Sequence, residues 1–76
     1  MKDDKNEILR KFGAYVKQLR NDKGMTMLDI EVITGITESS VSKIENGKKN
    51  PALTTIIKLA QGLSIAPSKL LSLFDK

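Results

Sequence analysis

The apolar positions of this 76-residue chain recur at helical spacing almost from end to end. Ile8, Phe12, Tyr15, Val16 and Leu19 keep to one face of a helix, which predicts a first helix from about Asp4 to Asp22, with Gly24 placed to end it. Two short helices follow, each with a clear start. Thr26 can cap the second helix, Asp29 suits the positive end of that helix, and Met25 with Ile30 makes a hydrophobic staple. The same device returns at Thr37, with Ile36 and Val41 as the staple and Asn46-Gly47 as the stop. Each of these helices spans only about eight residues, too few to be stable in isolation, so both must pack on something.

Between them, Ile33-Thr34-Gly35-Ile36 reads as a tight turn. Taken alone, it fits a helix-turn-helix motif or an ordinary helical hairpin. A polar loop, Gly47-Lys48-Lys49-Asn50-Pro51, precedes a fourth helix marked by Leu53, Ile56, Ile57, Ala60 and Leu63. Pro67 opens a fifth, expected to carry Leu70, Leu71, Leu73 and Phe74. No strand-like alternation or internal repeat interrupts the pattern. The expectation is an all-α fold, a compact bundle of five short helices forming one domain over residues 1–76, with a helix-turn-helix motif at about 26–46.

Composition narrows the chemistry. The chain has no cysteine and no histidine, which removes disulfides, thiolate metal sites, the commonest general base and the commonest metal ligand. Its acidic residues form no paired constellation with a base, metal ligands or a glycine-rich phosphate loop, so no catalytic residue, cofactor or metal is expected, and no enzyme. No run approaches the ~20 apolar residues needed to span a bilayer. The start, Met1-Lys2-Asp3-Asp4-Lys5-Asn6-Glu7, is mixed in charge and lacks the apolar stretch of a signal peptide, so the protein is expected to be soluble and cytoplasmic, with no membrane partner. Thirteen basic and nine acidic residues leave a formal charge of +4, which suits an anionic partner without identifying one.

The order and spacing of several motifs resemble the phage repressor and Cro family of Xre-like regulators. The matching residues are Leu19-Arg20, Lys23-Gly24-Met25-Thr26, Ile30, Gly35-Ile36-Thr37, the run Ser39 to Lys48, Asn50-Pro51, Leu53, Ile56, Lys58-Leu59-Ala60 and Leu63. The resemblance covers about two thirds of the chain. It implies a lambda-repressor-like DNA-binding domain whose third helix enters the major groove of double-stranded DNA.

Carried onto this sequence, the base-facing candidates are Glu38, Ser39, Ser42 and Lys43. Helical geometry puts these four on one face while Val41 and Ile44 point inward. Lysine can donate to guanine O6 and N7 or sit beside a phosphate, serine discriminates weakly, and glutamate can accept from the cytosine amino group. An acid in the first helical turn is also favoured by the helix dipole alone. The resemblance further implies backbone contacts from Thr26, Thr37, Asn46, Lys48, Lys49 and Asn50, where helix amides and lysines suit phosphates. It pairs Arg20 with Glu45 as a partly buried tether from the first helix to the end of the third, a scaffold role. The apolar end, Leu70, Leu71, Leu73 and Phe74, could supply a dimer surface or fill the core.

Four positions depart from the family pattern. Met27 replaces a common phosphate-binding glutamine, so that contact is expected to be missing or taken over by Thr26. Glu31 stands where alanine is usual and must bend outward, pair with a cation such as Lys43, or force the second and third helices apart. Gly62 and Ser64 stand for alanine and glycine, and are expected to loosen the end of the fourth helix by ~1 kcal/mol.

The functional expectation is a sequence-specific transcriptional regulator acting as a homodimer on a palindromic operator. A DNA-binding autoregulatory antitoxin with a toxin partner is an alternative, as is a protein-interaction module that has lost DNA binding.

Overall fold

The first three helices begin where a capping side chain takes up a terminal amide. In the computed structural model, which describes residues 4–75, Asp4 caps the first helix, α1 (Lys5–Asp22), by accepting from the Glu7 amide at 2.8 Å. Met1 to Asp3 of the mixed-charge start, and Lys76, lie outside the described residues. The second helix, α2 (Met27–Thr34), carries a full capping box. The Thr26 hydroxyl accepts from the Asp29 amide at 3.0 Å, and the Asp29 carboxylate accepts from the Thr26 amide at 2.8 Å.

Gly35 ends α2 in the left-handed conformation, φ 80°, and its amide donates to the Glu31 carbonyl. Thr37 then caps α3 (Glu38–Glu45) through the Ser40 amide at 3.1 Å. The remaining elements, α4 (Leu53–Gly62) and α5 (Pro67–Leu70), start without a side-chain cap. Proline at the first position of α5 has no amide that needs one.

Among the described residues the architecture is all-helical, five α-helices closed by a 3-10 turn at Ser72–Phe74. Every helix contributes to one core: Phe12 and Val16, Ile30, Val41 and Ile44, Leu59, Ala60 and Leu63, and Leu70. The staple residues Met25 and Ile36 pack against that core.

The structure corrects three expectations. The last helix stops at Leu70, so Leu71, Leu73 and Phe74 belong to a separate 3-10 turn; four residues leave too few i to i−4 bonds to carry the helix further. Leu70 is fully buried and cannot form part of a surface, whereas Leu71 is exposed and Leu73 and Phe74 are half-buried. Leu53, placed on the apolar stripe of α4, is 69% exposed at the first turn of that helix.

Two glycines inside helices lie at close approaches. A Cβ on Gly13 would lie 2.2 Å from the Ile44 carbonyl oxygen and 2.7 Å from that of Glu45, so α1 rests directly on the backbone at the end of α3. A Cβ on Gly62 would lie 2.5 Å from the Thr34 methyl. Gly62 therefore does more than loosen α4, because its missing side chain admits the end of α2.

At that same junction with α3, Arg20 and Glu45 meet. The Arg20 Nε and Nη2 donate to the two Glu45 carboxylate oxygens at 2.7 and 3.0 Å, and Nη1 donates to the Met25 carbonyl at 2.8 Å. Both residues are buried, 8% and 6% exposed. The Glu45 hydrogen bonds raise the Arg20 pKa above its ordinary value against the opposing effect of burial, so the guanidinium stays charged wherever the fold exists.

Two stability effects follow. Glu45→Ala strands a buried guanidinium and is expected to cost roughly 3–5 kcal/mol, a fall in Tm of more than about 12 °C for a domain this small. Thermal unfolding followed by circular dichroism checks it, and an unchanged Tm would refute the tether. Ser64 holds a left-handed backbone, φ 57°, where a side chain is disfavoured. Ser64→Gly is therefore expected to stabilise by about 0.5–1 kcal/mol, read as a higher denaturant midpoint, with the gain limited by the extra freedom glycine gives the unfolded chain.

Candidate nucleic-acid interface

The inner face of α3 is fixed by burial: Val41, Ile44 and Glu45 are enclosed. Its opposite face carries Glu38, Ser39 and Lys43, all exposed, with Ser42 half-buried beside them. These four side chains occupy one strip of a single helix, at the spacing expected for a polar recognition face. Lys43 makes no ion pair among the described residues, so its ammonium is available to an external acceptor.

Polar bonds at both ends keep this strip in place. At the amino end, the Thr37 hydroxyl accepts from the Ser40 amide and donates to the Ser40 hydroxyl at 3.1 Å. The Ser40 hydroxyl also accepts from the Lys49 ammonium at 3.2 Å. The loop after α3 is thereby drawn back along the helix to its first turn. At the carboxyl end, the Asn46 side-chain amide donates to the Ser42 carbonyl at 2.9 Å and lies 3.4 Å from the Ser42 hydroxyl. The Lys48 amide closes the end by donating to the Lys43 carbonyl at 2.8 Å.

The residues expected to meet phosphates divide into three groups. Thr26 keeps its hydroxyl proton free for an anion, because the capping box uses only the oxygen as acceptor and the backbone amide as donor. Lys48 and Asn50 are exposed in the loop, and Lys48 has no ion pair among the described residues. Thr37 and Asn46 spend their side-chain donors within the protein, and exposed Lys49 gives one of its three ammonium hydrogens to Ser40. Those three brace the strip and its loop. Met27 turns away from this surface and packs on the core.

Ser40 is the residue that sequence reasoning missed here. It joins α3 to the loop, but one more serine in a serine-rich helix carries no signal. Gly13 had a signal: an isolated glycine inside an apolar helical pattern often marks tight packing. Among the described residues no cluster of carboxylates could hold a metal ion, and no helix is long and apolar enough to cross a membrane.

Comparison with known proteins agrees with this geometry. Residues 16–70 match the family model HTH_3, described as helix-turn-helix. The control protein C.MunI of a Mycoplasma species is 33% identical over 72 residues, covering 93% of this chain and 97% of that protein. Other matched regulators, from Bacillus subtilis, are longer, and the chain spans 45% and 43% of them.

Among solved structures, the restriction-modification controller protein C.AhdI from Aeromonas hydrophila superposes with a TM-score of 0.80 at 36% identity, covering 83% of this chain and 96% of that one. The controller protein C.Esp1396I, solved as a tetramer in complex with its natural 35 base-pair operator, shares the fold with a TM-score of 0.80 at 23% identity, covering 87% of each chain. The motif, the buried scaffold beneath it and the matched region coincide: the chain belongs to the Xre-like helix-turn-helix family of DNA-binding transcriptional regulators.

Proposed function

We propose that residues 1–76 act as a single DNA-binding domain that regulates transcription in the cytoplasm. It binds a palindromic operator as a homodimer, with α3 of each copy in a major groove. The observation that carries this reading is the exposed strip Glu38, Ser39, Ser42 and Lys43 on a helix fixed at both ends. Base readout needs side chains held in a constant place, and a helix in the major groove is the commonest way to supply them. The operator complex of C.Esp1396I and the regulatory role of the controller proteins support it.

In this reading Lys43 donates to a guanine edge, and Ser39 and Ser42 donate or accept beside it. Glu38 accepts from a cytosine amino group. Thr26, Lys48 and Asn50 hold phosphates on either side of the groove. Thr37, Asn46 and Lys49 act chiefly through the bonds that orient α3 and its loop.

One such domain buries too little surface for tight binding alone. A second copy doubles the contacts, and Leu71 with the accessible parts of Leu73 and Phe74 offers an apolar surface for it.

Lys43 and Lys48 separate base readout from phosphate binding. Lys43→Ala is expected to cost about 1–3 kcal/mol on the operator selected from a random pool, and to relax preference at one base position per half-site. Lys48→Ala should weaken every sequence alike and lower the salt slope by about one. Binding to the operator, to single-base variants and to random DNA at several salt concentrations checks both. If Lys43→Ala acted equally on all sequences, α3 would not lie over the bases.

For the dimer, Leu71→Glu is expected to give a monomer in sedimentation at micromolar concentration and to weaken operator binding. An intact protein that sediments as a monomer, yet binds a single half-site tightly, would exclude the homodimer.

A further inference from the structure

Glu31 makes a bond that the capping pattern of α3 did not require. It lies half-buried one turn before the end of α2, and its backbone carbonyl receives the Gly35 amide at 2.8 Å. Its side chain crosses the turn, and Oε1 accepts from the Glu38 amide, the first of α3, also at 2.8 Å. One residue therefore closes the end of α2 with its main chain and the start of α3 with its side chain. None of the three expected outcomes describes this: the carboxylate neither pairs with Lys43 nor simply bends outward, but turns across to a backbone amide of α3.

With this bond, the first turn of α3 has little freedom. The Glu38 amide goes to Glu31, the Ser40 amide to the Thr37 hydroxyl and the Val41 amide to the Thr37 carbonyl. Thr37 fixes the helix only to its own cap. Glu31 fixes it to α2. A carboxylate at this end is also favoured by the helix dipole.

We propose that Glu31 is a positioning residue for base readout: by fastening the first amide of α3 to α2, its carboxylate sets where Glu38 and Ser39 meet the base edges, while its negative charge lowers affinity for all DNA. This rests on α3 being the groove helix. A hydrogen bond to a base edge tolerates only a few tenths of an ångström, so an amino end free to shift against α2 averages that contact away. Lys43, more than one turn further along and above the Arg20–Glu45 anchor, is insulated from such a shift. The charge acts without regard to sequence, as any acid near phosphates does.

Three substitutions in the full chain separate reach from charge. Glu31→Gln keeps an oxygen acceptor of the same reach and removes the charge. Glu31→Asp keeps the charge and is one methylene too short. Glu31→Ala removes both. Binding to the selected operator, its single-base variants and random DNA is read alongside hydrogen exchange of the Glu38 amide.

Glu31→Gln should keep the protection of the Glu38 amide and the full base preference, and bind random DNA more tightly by about twofold or more at low salt. Glu31→Asp should lose both the protection and about fivefold to tenfold of the preference at positions read by the first turn, with preference at the Lys43 position unchanged. Glu31→Ala should combine the two effects. If Glu31→Asp kept every preference, or if Glu31→Gln lost as much preference as Glu31→Asp, positioning by this bond would be refuted. A wild-type protein that binds DNA with no sequence preference would overturn the groove-helix reading itself, and the exchange data would still report whether the bond exists in solution.

Discussion

The orientation of α3 depends on one guanidinium. Arg20 reaches the Glu45 carboxylate with two nitrogens and the Met25 carbonyl with the third, which brings α1, the end of α3 and the approach to α2 to a single point. A pair buried in this way adds little net stability, since desolvation offsets most of the attraction, but a displaced partner would strand a charge. The directional bonds therefore exclude alternative packings more than they deepen the native one. Gly13 acts at the same place. Only a residue without Cβ lets α1 lie against the last carbonyls of α3, and that contact sets the distance over which the ion pair must reach.

From this anchor, the polar face of α3 is a consequence of how the helix is held. Apolar burial fixes its inner side, Arg20 and Asn46 fix its carboxyl end, and Thr37 with Glu31 fix its amino end. What remains outside is the strip from Glu38 to Lys43. The loop lysines differ from one another for the same reason. Lys49 is recruited to Ser40 and Lys48 is left to the solvent, although the two are adjacent in a loop whose composition treats them alike.

Much of this was legible before any coordinates, and the reasons are physical. A cap or staple is a local device, so Thr26 with Asp29, and Thr37 with the Ile36–Val41 staple, announce helix starts within a few residues. The inward positions of α3 follow from its period. Legibility fails where the chain gives no contrast. In α2 the apolar residues Met27, Leu28, Ile30, Val32 and Ile33 spread around the helix, so periodicity cannot say that Leu28, Val32 and Ile33 face outward, at 51%, 77% and 59% exposed. In the tail, a short apolar run reads equally well as one helix or as a four-residue helix and a tighter turn. The Glu31–Glu38 bond, the Gly62 contact with Thr34 and the Lys49 bond to Ser40 join residues that no local rule relates.

The distance along the chain between Arg20 and Glu45 sets an order of events during folding. The two side chains are 25 residues apart, whereas the caps of α2 and α3 close over three. Local bonds form in about a microsecond or less, and the longer closure must first overcome the entropy of the loop between. The α2–turn–α3 unit is thus free to collapse and reopen many times before α1 arrives. The guanidinium then latches a hairpin whose two short helices are marginal alone, so α3 takes its final position only when α1 docks.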